Sequence, residues 1–92
     1  MLLAVDVRNT SMTLGLFSGS GDHAKLLRDW RMRTDPRVTA DELALMLRGL
    51  LGGDVDQITG VSALSTVPSV LREMRTMLGR YWEHVPHVVV EP

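Results

Sequence analysis

No cysteine occurs among the 92 residues, which excludes disulfides, thiolate metal sites and a cysteine nucleophile. Charge of one sign is also missing: ten Lys and Arg stand against eleven Asp and Glu, for a formal net charge of −1. With the basic residues scattered and no basic run, no nucleic acid and no membrane surface is expected as a partner. No apolar run approaches the roughly 20 residues that cross a bilayer. The N-terminus, Met1-Leu2-Leu3-Ala4-Val5-Asp6, carries a carboxylate and no basic segment, so it does not read as a signal peptide. A cytoplasmic location is the expectation. Internal repeats and low-complexity segments are absent as well.

What is present is the composition of a soluble globular protein, 45% apolar and 23% charged. The length allows one small domain, which buries too modest a fraction of its surface to be more than marginally stable alone.

Leu2–Val7 is a short apolar run interrupted by Asp6 and predicts a buried strand. After polar turn residues, Ser11–Phe17 alternates: Met12, Leu14 and Leu16 share one face, Ser11, Thr13 and Gly15 the other. This predicts a second strand, antiparallel to the first across a short link. Ser18-Gly19-Ser20-Gly21-Asp22 reads as a turn, and a third strand over about Ala24–Arg33 ends with Trp30 and Met32 facing a core. Thr39-Ala40-Asp41-Glu42 has the form of a capping box opening a helix through Leu43, Met46, Leu47 and Leu50, stopped by Gly52-Gly53. Ile58–Leu64 reads as a strand. Ser65-Thr66-Val67-Pro68 predicts a second helix with a hydroxyl cap, its apolar stripe formed by Val70, Leu71, Met74, Met77, Leu78 and Tyr81. His87–Val90 is a last strand, and the chain stops at Glu91-Pro92, where an α/β protein is expected to continue. The expected order is β-β-β-α-β-α-β: an α/β fold with a mixed sheet.

Chemistry is concentrated in Asp6-Val7-Arg8-Asn9-Thr10, at the end of the first strand and in the turn after it. A carboxylate in an apolar strand is costly unless paired or bound to a metal. An amide and a hydroxyl follow at once on a tight hairpin, where side chains and backbone N–H groups can converge on polyphosphate oxygens and Mg²⁺. The same residues also suit an Asx-type turn in which Asp6 and Asn9 merely bond local backbone. The spacing leaves both readings open.

Met1 to Thr10, followed by Leu14-Gly15-Leu16-Phe17, resembles the opening of type III pantothenate kinases, whose first phosphate motif reads Asp-x-Gly-Asn-Thr with a Gly at the end of the next strand. The resemblance continues through Trp30-Arg31-Met32-Arg33-Thr34-Asp35, Thr39-Ala40-Asp41-Glu42 and Ser65-Thr66-Val67-Pro68, and is strongest to actinobacterial members. It implies that residues 1–92 are the N-terminal RNase H-like half of an actin-like ATPase fold. The implied reaction is ATP-dependent phosphorylation of pantothenate, the first step toward coenzyme A. Mg²⁺, a monovalent cation (K⁺ or NH₄⁺) and a homodimer come with that resemblance. Carried over by residue, Asp6 would hold the hydrated Mg²⁺, Asn9 and Thr10 would line the phosphates, and Gly15 would permit close backbone approach.

Arg8 departs from the family pattern, which has Gly there. A left-handed backbone would exclude Arg, whereas a permissive one would set a guanidinium beside the phosphates. Ser11-Met12 is a second, minor departure. No catalytic residue is expected within the 92 residues. The family's Gly-Ala-Asp-Arg segment, with its base and substrate-binding Arg, its second phosphate motif and its adenosine-binding glycines all lie beyond Pro92, so the piece alone is expected to be inactive. The rival readings are a non-catalytic, kinase-like accessory or regulatory protein and a structural or dimerisation module. His84 and His87 straddle Pro86 and read as surface histidines, Ser65-Thr66 as a cap rather than a nucleophile, and Met74 and Met77 as core. Trp30 reads as core too, with Arg31 and Arg33 turned to a ligand or dimer partner.

Overall fold

The computed structural model describes residues 1–19 and 21–90. Strands β1 (Leu2–Val7) and β2 (Ser11–Ser18) pair antiparallel, with Leu3 opposite Leu16, Val5 opposite Leu14 and Val7 opposite Met12. Successive side chains on a strand point to opposite faces, so these six lie on one side, where all are buried. Strand β3 (Lys25–Arg33) continues the sheet, antiparallel to β2, with Trp30 opposite Leu14 and Met32 opposite Met12. Both pack against the core, as expected. A register shift between Leu16 and Phe17 sets Leu26 opposite Phe17. The expected turn over 18–22 includes a single 3₁₀ turn at Gly21–His23; its Ser20, like Glu91 and Pro92, lies outside the described residues.

Helix α1 (Ala40–Leu51) opens on the predicted capping box: Thr39 Oγ1 accepts from the Glu42 N–H at 3.2 Å, and Glu42 Oε1 accepts from the Thr39 N–H at 3.0 Å. It closes at Gly52, whose φ of +57° suits a residue without a Cβ and whose N–H reaches the Arg48 carbonyl. A 3₁₀ segment, Gly52–Gln57, leads to β4 (Gly60–Ser65), parallel to β1. The strand begins two residues later than expected, because Ile58 is spent in the core at the end of the linker. Helix α2 (Pro68–Tyr81) and β5 (His87–Val90), parallel to β4, complete the chain. The sheet order is β3-β2-β1-β4-β5, the mixed β-β-β-α-β-α-β arrangement expected.

Two expectations about α2 are corrected. Its N-cap is Val67, with no side-chain cap. The Ser65 hydroxyl instead closes a local turn, accepting from the Val67 N–H at 3.1 Å and donating to the Val67 carbonyl at 3.0 Å. A Pro at the first helical position needs no partner for its missing N–H, so the helix starts without a hydroxyl cap. Tyr81, placed on the buried stripe by spacing, is exposed; its hydroxyl donates to Asp41 Oδ1 at 2.6 Å, beside Arg80 Nη1 at 2.9 Å.

Both helices bury their stripes, Leu43, Leu47 and Leu51 on α1 and Val70, Met74, Met77 and Leu78 on α2, in one core with Leu3, Leu14, Leu16, Val61 and Ala63 of the sheet. The helices are tied directly as well: Glu73 Oε1 accepts from the Ala40 N–H at 3.1 Å, and Ser69 Oγ donates to the Pro36 carbonyl at 2.7 Å. The opposite face of the sheet carries Leu2, Ala4, Asp6, Thr13, Gly15, Phe17, Ser62 and Leu64. No described helix is long and apolar enough to cross a membrane.

Removing the cap with Thr39→Ala is expected to destabilise the chain by about 1 kcal/mol, read as a lower urea midpoint. The Tyr81 hydroxyl, and then Arg80, hold the Asp41 carboxyl below the usual aspartate range. The stabilisation from this cluster is therefore complete above that range and fades as the pH falls through the lowered value. Tyr81→Phe should move the Asp41 titration midpoint upward in carboxyl NMR.

Candidate functional site

The carboxyl ends of β1 and β4 lie side by side because the two strands run parallel. The Thr66 N–H, just past β4, donates to the Val7 carbonyl at 3.0 Å, and its hydroxyl reaches the same oxygen at 3.4 Å. From the other side, Thr34 follows β3. Its hydroxyl donates to the Arg8 carbonyl at 2.6 Å and its N–H to the Thr10 carbonyl at 3.1 Å. The Arg8 N–H closes the hairpin on the Ser11 carbonyl at 2.9 Å. Residues 8–10 are thus an exposed tip with a fixed backbone, presented at the carboxyl end of the central strand. That is where open α/β sheets bind ligands.

Asp6 points to the face away from the helices, since Val5 and Val7 are buried on the other. The register sets Leu64, Asp6, Thr13 and Arg31 in one row across four strands. Its carboxylate, 45% exposed, accepts from Arg8 Nε at 2.9 Å and Nη2 at 3.5 Å. These are its hydrogen bonds among the described residues, and Asn9 and Thr10 there leave their side chains without partners, so the Asx-turn reading does not hold. No described non-glycine residue has positive φ. Arg8 therefore occupies its position without the left-handed backbone that would have excluded it.

Asp6, Thr13, Gly15, Phe17, Leu26 and Asp29 line a shallow trough of about 320 Å³ on this open face. Gly15 stands opposite Ala4 and Asp29, two residues and about 7 Å along the strand from Thr13. A Cβ there would meet Phe17 Cε2 at 3.0 Å and Leu26 Cδ1 at 3.4 Å, so Gly15 is what lets those two side chains fold over the sheet. The structure thus brings Asp6 and Gly15 into one trough, with Arg8, Asn9 and Thr10 at the tip beyond it. Thr13, Asp29 and Leu64 are additions. The alternation of β2 put Thr13 on the Gly15 face, but only the strand register sets it beside Asp6. A cavity of about 410 Å³, lined by Arg48, Asp56, Tyr81, Trp82 and His84, includes none of these residues.

No three His, Asp or Glu side chains converge on a metal position among the described residues, and His84 and His87 stay apart from any such site. A single accessible carboxylate nevertheless suits Mg²⁺, which keeps several waters and takes its remaining oxygens from one or two carboxylates and the phosphates it accompanies. If the tip is held as described, Thr34→Val should cost about 1 kcal/mol and speed amide hydrogen exchange at residues 8–11, leaving the β4–β5 amides unchanged.

The type III pantothenate kinase family model matches residues 2–92. Type III pantothenate kinases of Rhodococcus erythropolis, Nocardia farcinica and Mycolicibacterium smegmatis are 78%, 71% and 64% identical over the whole chain. The chain spans about a third of their length, 34%, 35% and 34% respectively. Among solved structures, Thermus thermophilus RuvC is similar at a TM-score of 0.63 and 20% identity, covering 99% of this chain and 63% of its own. An Aquifex aeolicus Ppx/GppA family member is similar at a TM-score of 0.54 and 14% identity, over 99% of this chain and 35% of its own. Identities this low speak to the fold alone: a mixed five-stranded sheet with helices, shared with RNase H-like RuvC and with a Ppx/GppA protein of the actin-like ATPase fold. With the family model covering all but one residue of the chain, the sequence belongs to the type III pantothenate kinase family.

Proposed function

We propose that residues 1–92 are the N-terminal half of an enzyme that transfers the γ-phosphoryl group of ATP to pantothenate, the first step toward coenzyme A. The observation that carries this is the accessible Asp6 carboxylate at the carboxyl end of β1, next to a hairpin tip whose backbone is tied down by Thr34 and Thr66. Phosphoryl transfer asks the protein mainly for positioning and charge neutralisation. Asp6 would hold Mg²⁺, which supplies positive charge to the phosphate oxygens when bound. Asn9 and Thr10, whose amide and hydroxyl groups have no partner among the described residues, would donate to those oxygens, and Arg8 adds a guanidinium beside them. Arg31 and Arg33, opposite Thr13 and Ser11, add positive charge on the same face, although the chain as a whole is nearly neutral.

Pantothenate would be met by the remainder of a protein of the relatives' length. In this reading the half-site alone has no turnover. The family resemblance adds K⁺ or NH₄⁺ as a second cofactor and a homodimer, and the expected location stays the cytoplasm. A second reading, a non-catalytic kinase-like regulator, draws on one observation: Arg8 takes both oxygens of the carboxylate that would otherwise be offered to the metal.

The test is pantothenate-dependent ADP release with Mg²⁺ and K⁺ or NH₄⁺, on this chain and on one continued to the length of its relatives. Turnover is expected only in the continued chain, and Asp6→Asn there should lower kcat by about 10²–10³-fold. Turnover by residues 1–92 alone would overturn the half-site reading. A folded continued chain that neither turns over nor binds ATP would favour the second reading.

A further inference from the structure

The structure assigns Arg8 the role of a displaceable counter-ion that sets how easily a divalent cation reaches Asp6; this rests on the reading of Asp6 as the metal carboxylate. Among the described residues the only ion pair of Asp6 is with Arg8, and the guanidinium engages both carboxylate oxygens. A cation that takes those oxygens must therefore turn Arg8 away. Arg31 lies in the same row of the sheet, but two strands off and without a contact to Asp6.

Three features make the displacement easy. Both partners are about half exposed, at 58% and 45%, and a pair in water is held weakly. The Arg8 backbone is anchored at both ends, its N–H on Ser11 and its carbonyl on Thr34, so the side chain can swing while the tip keeps its shape. The guanidinium also has a second destination, because its planar fork matches phosphate as well as carboxylate. Once a cation holds Asp6, repulsion drives Arg8 off, and polyphosphate at the tip beside Asn9 and Thr10 is the nearest anion to receive it. Arg8 thus opposes the cation arriving alone and favours the anion arriving alone.

That crossed sign separates the proposal from a merely structural role. Mn²⁺ binding would be followed by electron paramagnetic resonance, and metal-free tripolyphosphate binding in EDTA by calorimetry, for the chain, Arg8→Ala, Arg8→Lys and Asp6→Asn. An exposed ion pair of this kind is expected to shift Mn²⁺ affinity by about two- to fivefold. Arg8→Ala should therefore tighten Mn²⁺ by that factor while weakening tripolyphosphate, with Arg8→Lys between the two, and Asp6→Asn should abolish Mn²⁺ binding. Loss of Mn²⁺ binding in Asp6→Asn with no tightening in Arg8→Ala overturns the counter-ion and leaves Asp6 as the metal residue. Mn²⁺ affinity indifferent to Asp6→Asn, or absent from every variant, overturns both. Weakening of both ligands in Arg8→Ala, with an amide spectrum showing a displaced tip, assigns Arg8 to structure alone and also overturns the proposal.

Discussion

The rest of the molecule depends on β1 being hydrogen-bonded along both edges, antiparallel to β2 on one side and parallel to β4 on the other. A strand in that position cannot slip by one residue without turning Leu3, Val5 and Val7 out of the core, together with the residues paired to them. The register is thus held by the hydrophobic effect rather than by any polar contact. It leaves Asp6 no choice of face. The carboxylate is outward because its two neighbours are inward, and it stands near the end of the strand because the hairpin turn begins two residues later, at Arg8. Both parallel strands, β1 and β4, end at the same level, so Thr66 can reach the Val7 carbonyl and brace the tip.

The division of the sheet into a covered and an open face follows from the same constraint. Both helices bury their stripes in a single core against Leu3, Leu14, Leu16, Val61 and Ala63, and the other face keeps its charged row and its trough. A carboxylate placed on the covered face would have needed a buried partner at a cost that often exceeds the gain. On the open face Asp6 needs only a weak, exchangeable partner, and Arg8 is that. The site is therefore electrostatically soft at its side chains and rigid in its backbone. This combination suits a position where ions are exchanged while the geometry of the tip is kept.

Much of the architecture was legible in the linear pattern. The alternation of Met12, Leu14 and Leu16, the Thr39–Glu42 capping box and the Gly52-Gly53 stop each correspond to an observed element, since each depends on contacts within a few residues. The failures share one physical cause. Ser65 and Thr66 look like helix caps locally, yet the parallel pairing of β1 and β4 draws Thr66 to Val7, and Ser65 turns onto Val67. Tyr81 falls on the apolar stripe by spacing, but its hydroxyl finds Asp41 at the far end of α1, and the ring stays in solvent. Gly15 is a different case: the structure adds that its missing Cβ makes room for Phe17 and Leu26, neighbours that a β-bulge in β3 lines up.

By itself the sequence determined the order of the elements, the two faces of β2, most of the buried stripe of each helix, and the concentration of Asp6, Arg8, Asn9 and Thr10 in one hairpin, because periodicity and short-range hydrogen bonding settle these. Beyond the β1–β2 hairpin, tertiary structure alone decided which strands became neighbours. It thereby decided that Asp6 shares a row with Thr13 and Arg31, that Thr34 and Thr66 converge on the tip from strands far apart in the chain, and that the Arg8 backbone avoids positive φ. Those outcomes depend on register between distant segments, which is chosen by burial of the whole core and not by any residue's own preference.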